Sequence, residues 1–479
     1  MKRALLFLSV ILLTSPVWTR NASAATEAEK LTAIQNGLTH LCVTQLANGS
    51  WNFGGGVDAV TGASVFAFES QQGKWPSPAS CTNTATSSTL TFANVVTNGI
   101  AYLLSDAVLV PNLQFNNASV NICPGGGGTC SGVYWYASEQ TYTTGFVASA
   151  IDTFGVTMGV NAVATTTGPL KNLTWLQIAQ DITNEFASYQ STSGNYAGGW
   201  HYTPAYSDAD MSTAQWGVIA IGYDENSGAT TPSYVRSSMK TAWLVADQSQ
   251  VATANSYSTT GGNIQYAACY ALPSSGLCTH SDTGGWLTSM AFAGNGSNAA
   301  ALNGMSWLNK YWTDPVDSWY GIFVTSGSGC STTVGAMWGC APYAYPMWAV
   351  YKGLESNIGL ADNSHITHLK SDCGAAIGHM PGAASPSGGV CNWWEDQNEV
   401  LVRTQNANGS WADNFGDWND PLNTALFVNI LGAVPLPASI TQGGNPPTSV
   451  PALSIWGLLA LGITLAGFAA LRMRKAHAR

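Results

Sequence analysis

Two seven-residue segments far apart in the chain are nearly identical. Residues 45–51 read Gln-Leu-Ala-Asn-Gly-Ser-Trp and residues 405–411 read Gln-Asn-Ala-Asn-Gly-Ser-Trp. An internal repeat constrains architecture before any local reading, because each copy is a supersecondary unit that must bury its apolar face on its neighbours. Leu31, Ile34, Leu38, Leu41 and Cys42 recur at helical spacing before the first copy, and Val400, Leu401 and Val402 precede the second. An apolar stretch follows each copy, at 57–68 and 421–432. Weaker echoes of the turn stand at Gly198-Gly199-Trp200 and Gly284-Gly285-Trp286.

Pairing the helix-like stretches gives six hairpins. They are 27–46 with 57–68, 92–106 with 140–155, 172–189 with 210–224, 232–247 with 283–294, 297–312 with 341–356, and 393–405 with 420–432. Second members often open with Ser, Thr or Asp, as at Thr143-Thr144 and Asp210-Met211-Ser212-Thr213, which suits helix N-caps. The expectation is an all-α body of six hairpins with the Gln-to-Trp turn in the first and last.

The two ends of the chain read as export signals. Lys2 and Arg3 precede an apolar run from Ala4 to Leu13, and Ala22-Ser23-Ala24 is a small-residue cleavage site. Residues 1–24 are thus a signal peptide. From Val450 to Leu471 no residue is charged, which is long enough to cross a bilayer, and Arg472, Arg474, Lys475 and Arg479 follow. Basic residues beyond a span favour keeping that end in the cytoplasm. Residues 25–432 form the body, 433–449 a flexible Pro/Gly/Ser/Thr spacer, and 450–479 a membrane span with a basic tail.

Between the two ends lie all 26 acidic residues but nine basic ones, a formal charge near −17. Nucleic acid is excluded as a partner on that balance, since phosphate binding needs clustered Lys and Arg. None of the ten Cys lies in either export segment, which fits disulfides in an oxidising compartment. Spacing suggests Cys123 with Cys130, Cys269 with Cys278, Cys330 with Cys340, Cys373 with Cys391, and by elimination Cys42 with Cys81. Metal binding is the competing use of Cys, but the close Cys/His spacing of zinc sites does not occur.

The order Val450, Pro451, Leu453, Ser454, Trp456, Gly457, then an apolar span and an Arg-rich tail, resembles the IPTL-type C-terminal sorting signal of Gram-negative bacteria. Val450 and Ala452 depart from its first and third positions. The resemblance implies an exosortase-like protease as partner. It also implies a precursor anchored in the inner membrane with its C-terminus in the cytoplasm, then release to the cell surface or medium. The turn, with Gln45, Gly49 and Trp51 and again Gln405, Gly409 and Trp411, resembles the repeat of the prenyltransferase and squalene-cyclase superfamily. That resemblance implies an α/α toroid, and turns whose Gln and Trp tie neighbouring outer helices together.

It also directs attention to Asp208-Ala209-Asp210-Met211-Ser212, similar to the D-x-D-D-[ST] acid of squalene-hopene-type cyclases. Asp208 and Asp210 match the first two Asp, and Met211 stands where the third would support the acid. The plainer role for Asp210 or Ser212 is a helix cap. The zinc motif of protein prenyltransferases and the thioester motif of complement-like proteins do not occur. A carbohydrate enzyme on a toroid would need a Tyr or His base, or two carboxylates. Candidates are Tyr142, His201 with Tyr202 beside Trp200, His280 with Asp282, and Glu395 with Asp396. His365 and His368 have a helical metal spacing, but read better as loop residues. No cofactor is expected. The leading expectation is an exported binding or structural protein with an unknown surface ligand; the alternative is an extracellular enzyme acting on a terpenoid or a polysaccharide.

Overall fold

The computed structural model describes residues 25–52, 56–113, 123, 129–136, 138–249, 268–269, 279–312, 343–367, 369, 392–411 and 420–441. The chain is all-α. Twelve of its helical stretches fall where periodicity places them: α1 (Glu27–Thr44), α2 (Val57–Ser70), α3 (Phe92–Asp106), α4 (Gln140–Met158), α5 (Trp175–Tyr189), α6 (Met211–Asn226) and α7 (Ser233–Ser238). A π-helical turn, Met239–Trp243, runs α7 into α8 (Leu244–Ser249). Then come α9 (His280–Phe292), α10 (Ala299–Tyr311), α11 (Ala344–Ile358), α12 (Trp393–Thr404) and α13 (Leu422–Leu431). Among the described residues two antiparallel ribbons decorate the connections, β1 (Ser80–Thr82) with β2 (Thr89–Thr91), and β3 (Val108–Val110) with β4 (Gly132–Tyr134).

The helices are of two kinds, alternating along the chain. Flanking helices bury one stripe: in α1 it is Lys30, Ala33, Ile34, Gly37, Leu38, Leu41 and Cys42, the spacing of a helix with one face to solvent. Core helices are buried all round: every residue from Asp58 to Phe68 in α2, from Gln140 to Asp152 in α4 and from Met211 to Asp224 in α6. The same holds for α9 and α13, and for α11 from Ala344 to Leu354. Each core helix packs on the next: α2 on α4, α4 on α6, α6 on α9, α9 on α11, α11 on α13, and α13 back on α2. The crossings are close. A Cβ at Gly284 of α9 would meet the Ala349 backbone of α11 at 2.5 Å.

The helix starts are chemically explicit. Thr26 and Thr174 form capping boxes with Glu29 and Gln177, satisfying donors that a helix end leaves orphaned. Asp210 caps α6, Thr279 caps α9, and Asn392 caps α12. Thr143 and Thr144, expected at a helix start, instead lie inside α4, which begins at Gln140 without a side-chain cap.

In the first turn, Gln45 Nε2 donates to Gly49 O of its own turn and to Val95 O of α3, both at 2.9 Å. Gln405 Nε2 does the same with Gly409 O at 2.9 Å and Ala33 O of α1 at 2.8 Å. Trp51 and Trp411 donate from Nε1 to Leu41 O and Leu401 O, each at 2.8 Å, sealing the C-terminal carbonyls of α1 and α12. Gly49 and Gly409 take φ of +92° and +91° and sit against the backbones of Asn98 and Asn36, which only glycine fits cheaply. Gln190, Gly198 and Trp200 repeat the arrangement: Gln190 Nε2 reaches Gly198 O at 2.9 Å and Val235 O of α7 at 3.0 Å, and Trp200 Nε1 reaches Phe186 O at 2.8 Å. The echo Gly284-Gly285-Trp286 is no turn; it lies within α9.

First and last repeats meet. Besides Gln405 to Ala33, Lys30 Nζ pairs with Glu395 at 2.9 Å, Ser70 Oγ meets Asn429 at 2.8 Å, and Lys74 Nζ reaches Gly432 O at 2.7 Å. The start of the expected spacer is not loose. Residues 433–441 end in a short helix, α14 (Ala438–Thr441), and dock across α6, α9 and α11. Val434, Leu436 and Ile440 are buried, Ser439 Oγ donates to Gly222 O, and Tyr351 Oη donates to Val434 O. Apolar residues among the Pro and Ser outweigh the composition that suggested a linker.

Cys42–Cys81 and Cys123–Cys130 are disulfides, and Cys269 is also disulfide-bonded. Cys278, Cys330, Cys340, Cys373 and Cys391 lie outside the described residues, as do the signal peptide and the sorting segment with Val450, Pro451, Leu453, Ser454, Trp456 and Gly457. Among the described residues no helix is long and apolar enough to cross a membrane.

Candidate functional site

The N-terminal ends of the core helices carry several of the residues that the sequence singled out, Tyr142, Asp210, His280 and Asp282 among them. Thr141 of α4 pins the segment 200–202, its N–H donating to Tyr202 O at 3.0 Å and its hydroxyl to His201 O at 2.5 Å. Asp210 N closes the same segment through Trp200 O at 3.1 Å. Asp210 itself is buried and Asp208 is half exposed, so the two carboxyls that the motif groups are separated by environment.

Asp210 acts as a cap. Its Oδ1 accepts from Thr213 N at 2.8 Å and from Ser212 Oγ at 2.5 Å. Its Oδ2 is buried with no hydrogen-bond partner among the described residues. Burial pushes the carboxyl up to about 7, against the pull of Ser212 and Thr213, because an ion is costly away from water. Met211, where a supporting carboxyl would stand, is fully buried among the core side chains. Asp282, in the first turn of α9, accepts from Thr279 Oγ1 at 2.6 Å, and burial pushes it up to about 8.

Tyrosines surround these acids. The Tyr142 and Tyr345 hydroxyls lie 3.2 Å apart, Tyr142 stacks on Tyr202 at 5.8 Å, and Tyr202 Oη is 3.5 Å from Ser212 Oγ. Burial holds Tyr142 and Tyr345 well above the usual phenol range; Tyr142 is therefore an acid that keeps its proton, a poor base for lyase chemistry. Gln215 Nε2 donates to Tyr345 Oη at 3.0 Å. Gln215 lies in the stretch that follows the Asp208/Asp210 motif, but Tyr345 was not singled out by the sequence, since it belongs to no motif; only the partnership of α6 with α11 places it here.

His201 is 3.7 Å from Asp208, an ion-pair distance without a hydrogen bond, and its ring lies 4.2 Å from that of Tyr206. Partial burial lowers its pKa, against the opposing pull of Asp208. The other candidates are engaged in structure. Glu395 holds Lys30, and Asp396 accepts from Trp312 Nε1 at 2.6 Å, so these carboxyls do not face each other across a cleft. His280 packs on Trp307. His365 pairs with Asp362 at 3.0 Å, and His368 lies outside the described residues.

Deeper between the core helices, Phe66, Phe146, Trp216, Tyr223, Trp348 and Leu436 close around a space with room for about one water molecule. Phe146 and Trp216 are in ring contact at 3.8 Å. Among the described residues no group of His, Cys, Asp and Glu is arranged to hold a metal ion. The chain matches no family model and no curated protein.

Proposed function

We propose that the six hairpins form a closed α/α toroid of the prenyltransferase and squalene-cyclase repeat type, exported and sorted by its C-terminal IPTL-type signal. In this reading it works at the cell surface by binding or scaffolding, not by turnover. The succession of core-helix contacts that returns from α13 to α2 supports the ring, as do the Gln ties from each turn to the next flanking helix. The disulfides support an oxidising destination.

The observation that carries the non-catalytic reading is the packing between the core helices. A cyclase must fold a long apolar substrate inside the ring, and among the described residues Phe66, Phe146, Trp216, Tyr223 and Trp348 close around a space with room for about one water molecule. Incubation of the protein with squalene in detergent, and separately with polygalacturonate, tests it. The expected outcome is no product from wild type or from the Asp208→Asn/Asp210→Asn double variant. Product formed by wild type and lost in the double variant overturns the reading.

A terpenoid-directed acid is the second reading, and one observation favours it: Asp210 Oδ2 is buried with no hydrogen-bond partner among the described residues, and burial pushes the carboxyl up to about 7. It would require Trp216 and Phe146 to move apart on binding, and the same squalene incubation distinguishes it.

A further inference from the structure

One buried nucleophile has no part in the readings above. Lys352 of α11 is fully buried. No carboxylate lies among the causes that act on it; desolvation alone lowers its pKa, well below the ordinary lysine value. Its Nζ sits over the ring of Trp216 at 4.3 Å and near that of Trp348 at 5.4 Å. Its hydrogen-bond partner is Gln215 of α6, through Oε1 at 3.3 Å.

Gln215 is equally buried and oriented. Its Nε2 donates to Tyr345 Oη at 3.0 Å and to Ser212 O at 3.1 Å. Gly285 of α9 leaves the room for the amide, since a Cβ there would come within 3.0 Å of the Gln215 Cδ. A buried amine whose desolvation favours the uncharged form, a fixed carboxamide and a phenol beside the amide nitrogen are thus assembled in an aromatic enclosure. Fixing the reactants removes the entropic part of a bimolecular barrier, and an uncharged amine is the nucleophilic form of lysine.

From this geometry we infer that Lys352 and Gln215 form an intramolecular isopeptide bond, stapling α6 to α11 across α9. Nζ attacks Gln215 Cδ, the Cδ–Nε2 bond breaks, and the nitrogen leaves as ammonia. The proton given up by the amine ends on the departing nitrogen, with Tyr345 Oη placed to relay it and to return to its starting state. No oxidant, metal or co-reactant is consumed. The cross-link removes the polar cost of an isolated amine in the core, and it would make a surface protein hard to unfold.

Mass spectrometry of the full wild-type chain, unfolded and fully reduced, tests this directly. The expected result is a mass lower than the sequence value by one ammonia, a branched tryptic peptide joining residues 215 and 352, and neither feature in Lys352→Arg. The unaltered mass, with Gln215 and Lys352 recovered in separate linear peptides, overturns the inference. The wild-type measurement decides the matter by itself, even if the variant fails to fold.

Discussion

The two ends of the core helices both bury carboxyl groups, but under opposite local conditions. At the N-terminal end, Asp210 and Asp282 stand where helix dipoles present positive charge; each carboxyl accepts from a neighbouring hydroxyl, and Asp210 also from the Thr213 N–H. Towards the C-terminal end, Glu69, Asp152, Asp224 and Glu355 gather where the dipole is unfavourable. Burial pushes Asp152 and Glu355 up to about 7, and Glu69 and Asp224 well above the carboxylate range, with Asp152 adding to both. Glu69 has neither oxygen partnered among the described residues. Docked residues 433–441 cover this end, where Leu436 N reaches Glu355 at 3.4 Å. Burial pushes the acids up at both ends, Asp282 to about 8 included; the C-terminal acids also raise one another and, unlike the N-terminal pair, lie under residues 433–441.

Breaking the cover has the largest expected effect. Ile440 is fully buried against Gly222, and Ile440→Asp sets an unpaired charge beside the acidic end, costing about 3 kcal/mol or more. Urea unfolding measures it; a loss below about 1 kcal/mol would show that the docked segment is not what secures that end.

Next comes pH. For an acid whose pKa is raised on folding, the native state binds more protons than the unfolded chain between the two values, so stability falls as pH rises through that window. For Asp152 and Asp210 the window runs from 3.8 to about 7. The melting temperature is therefore expected to drop between pH 4 and pH 8. Asp152→Asn/Asp224→Asn should blunt that drop, gaining on the order of 1–3 kcal/mol at pH 8 and nothing at pH 4, since each pKa unit is worth about 1.4 kcal/mol. Equal slopes for the variant and wild type would remove the C-terminal end from the account.

The smallest effect belongs to the N-terminal end. At pH 4, Asp210→Ala removes a cap and should cost about 0.5–2 kcal/mol, whereas Asp210→Asn, also a good cap, should change stability by no more than a few tenths. At pH 8 the Asn variant should gain, as the raised carboxyl no longer has to ionise. A large loss for Asn in thermal melts would mean that the carboxyl does more there than cap α6.

Much of this architecture was legible in the sequence. Helical periodicity located the twelve stretches because core and flanking helices alike are dense in apolar residues, and the duplicated turn marked the first and last pairs. The third turn was partly hidden, because seven residues separate Gln190 from Gly198 where three separate Gln45 from Gly49. Docking of 433–441 was not legible, since Val434, Leu436 and Ile440 are diluted by Pro and Ser. At the site, Asp210 could be found from its motif and its place before an apolar helix. Gln215, Tyr345 and Asp282 come together only through packing between non-adjacent helices. Lys352 did leave a signal, as the lone charged residue from Ala344 to Leu354.

The pairing of Lys30 with Glu395 and of Gln405 with Ala33 has a temporal consequence. A ribosome delivers α1 first and α12 nearly last, so the earliest helix must wait with its apolar stripe uncovered, and Lys30 with only Glu27 of its own helix as partner, until almost the entire body has been made. Contacts of such sequence separation are slow to form. A truncated or stalled chain would therefore present a sticky, unfinished edge, the kind of surface that quality control recognises.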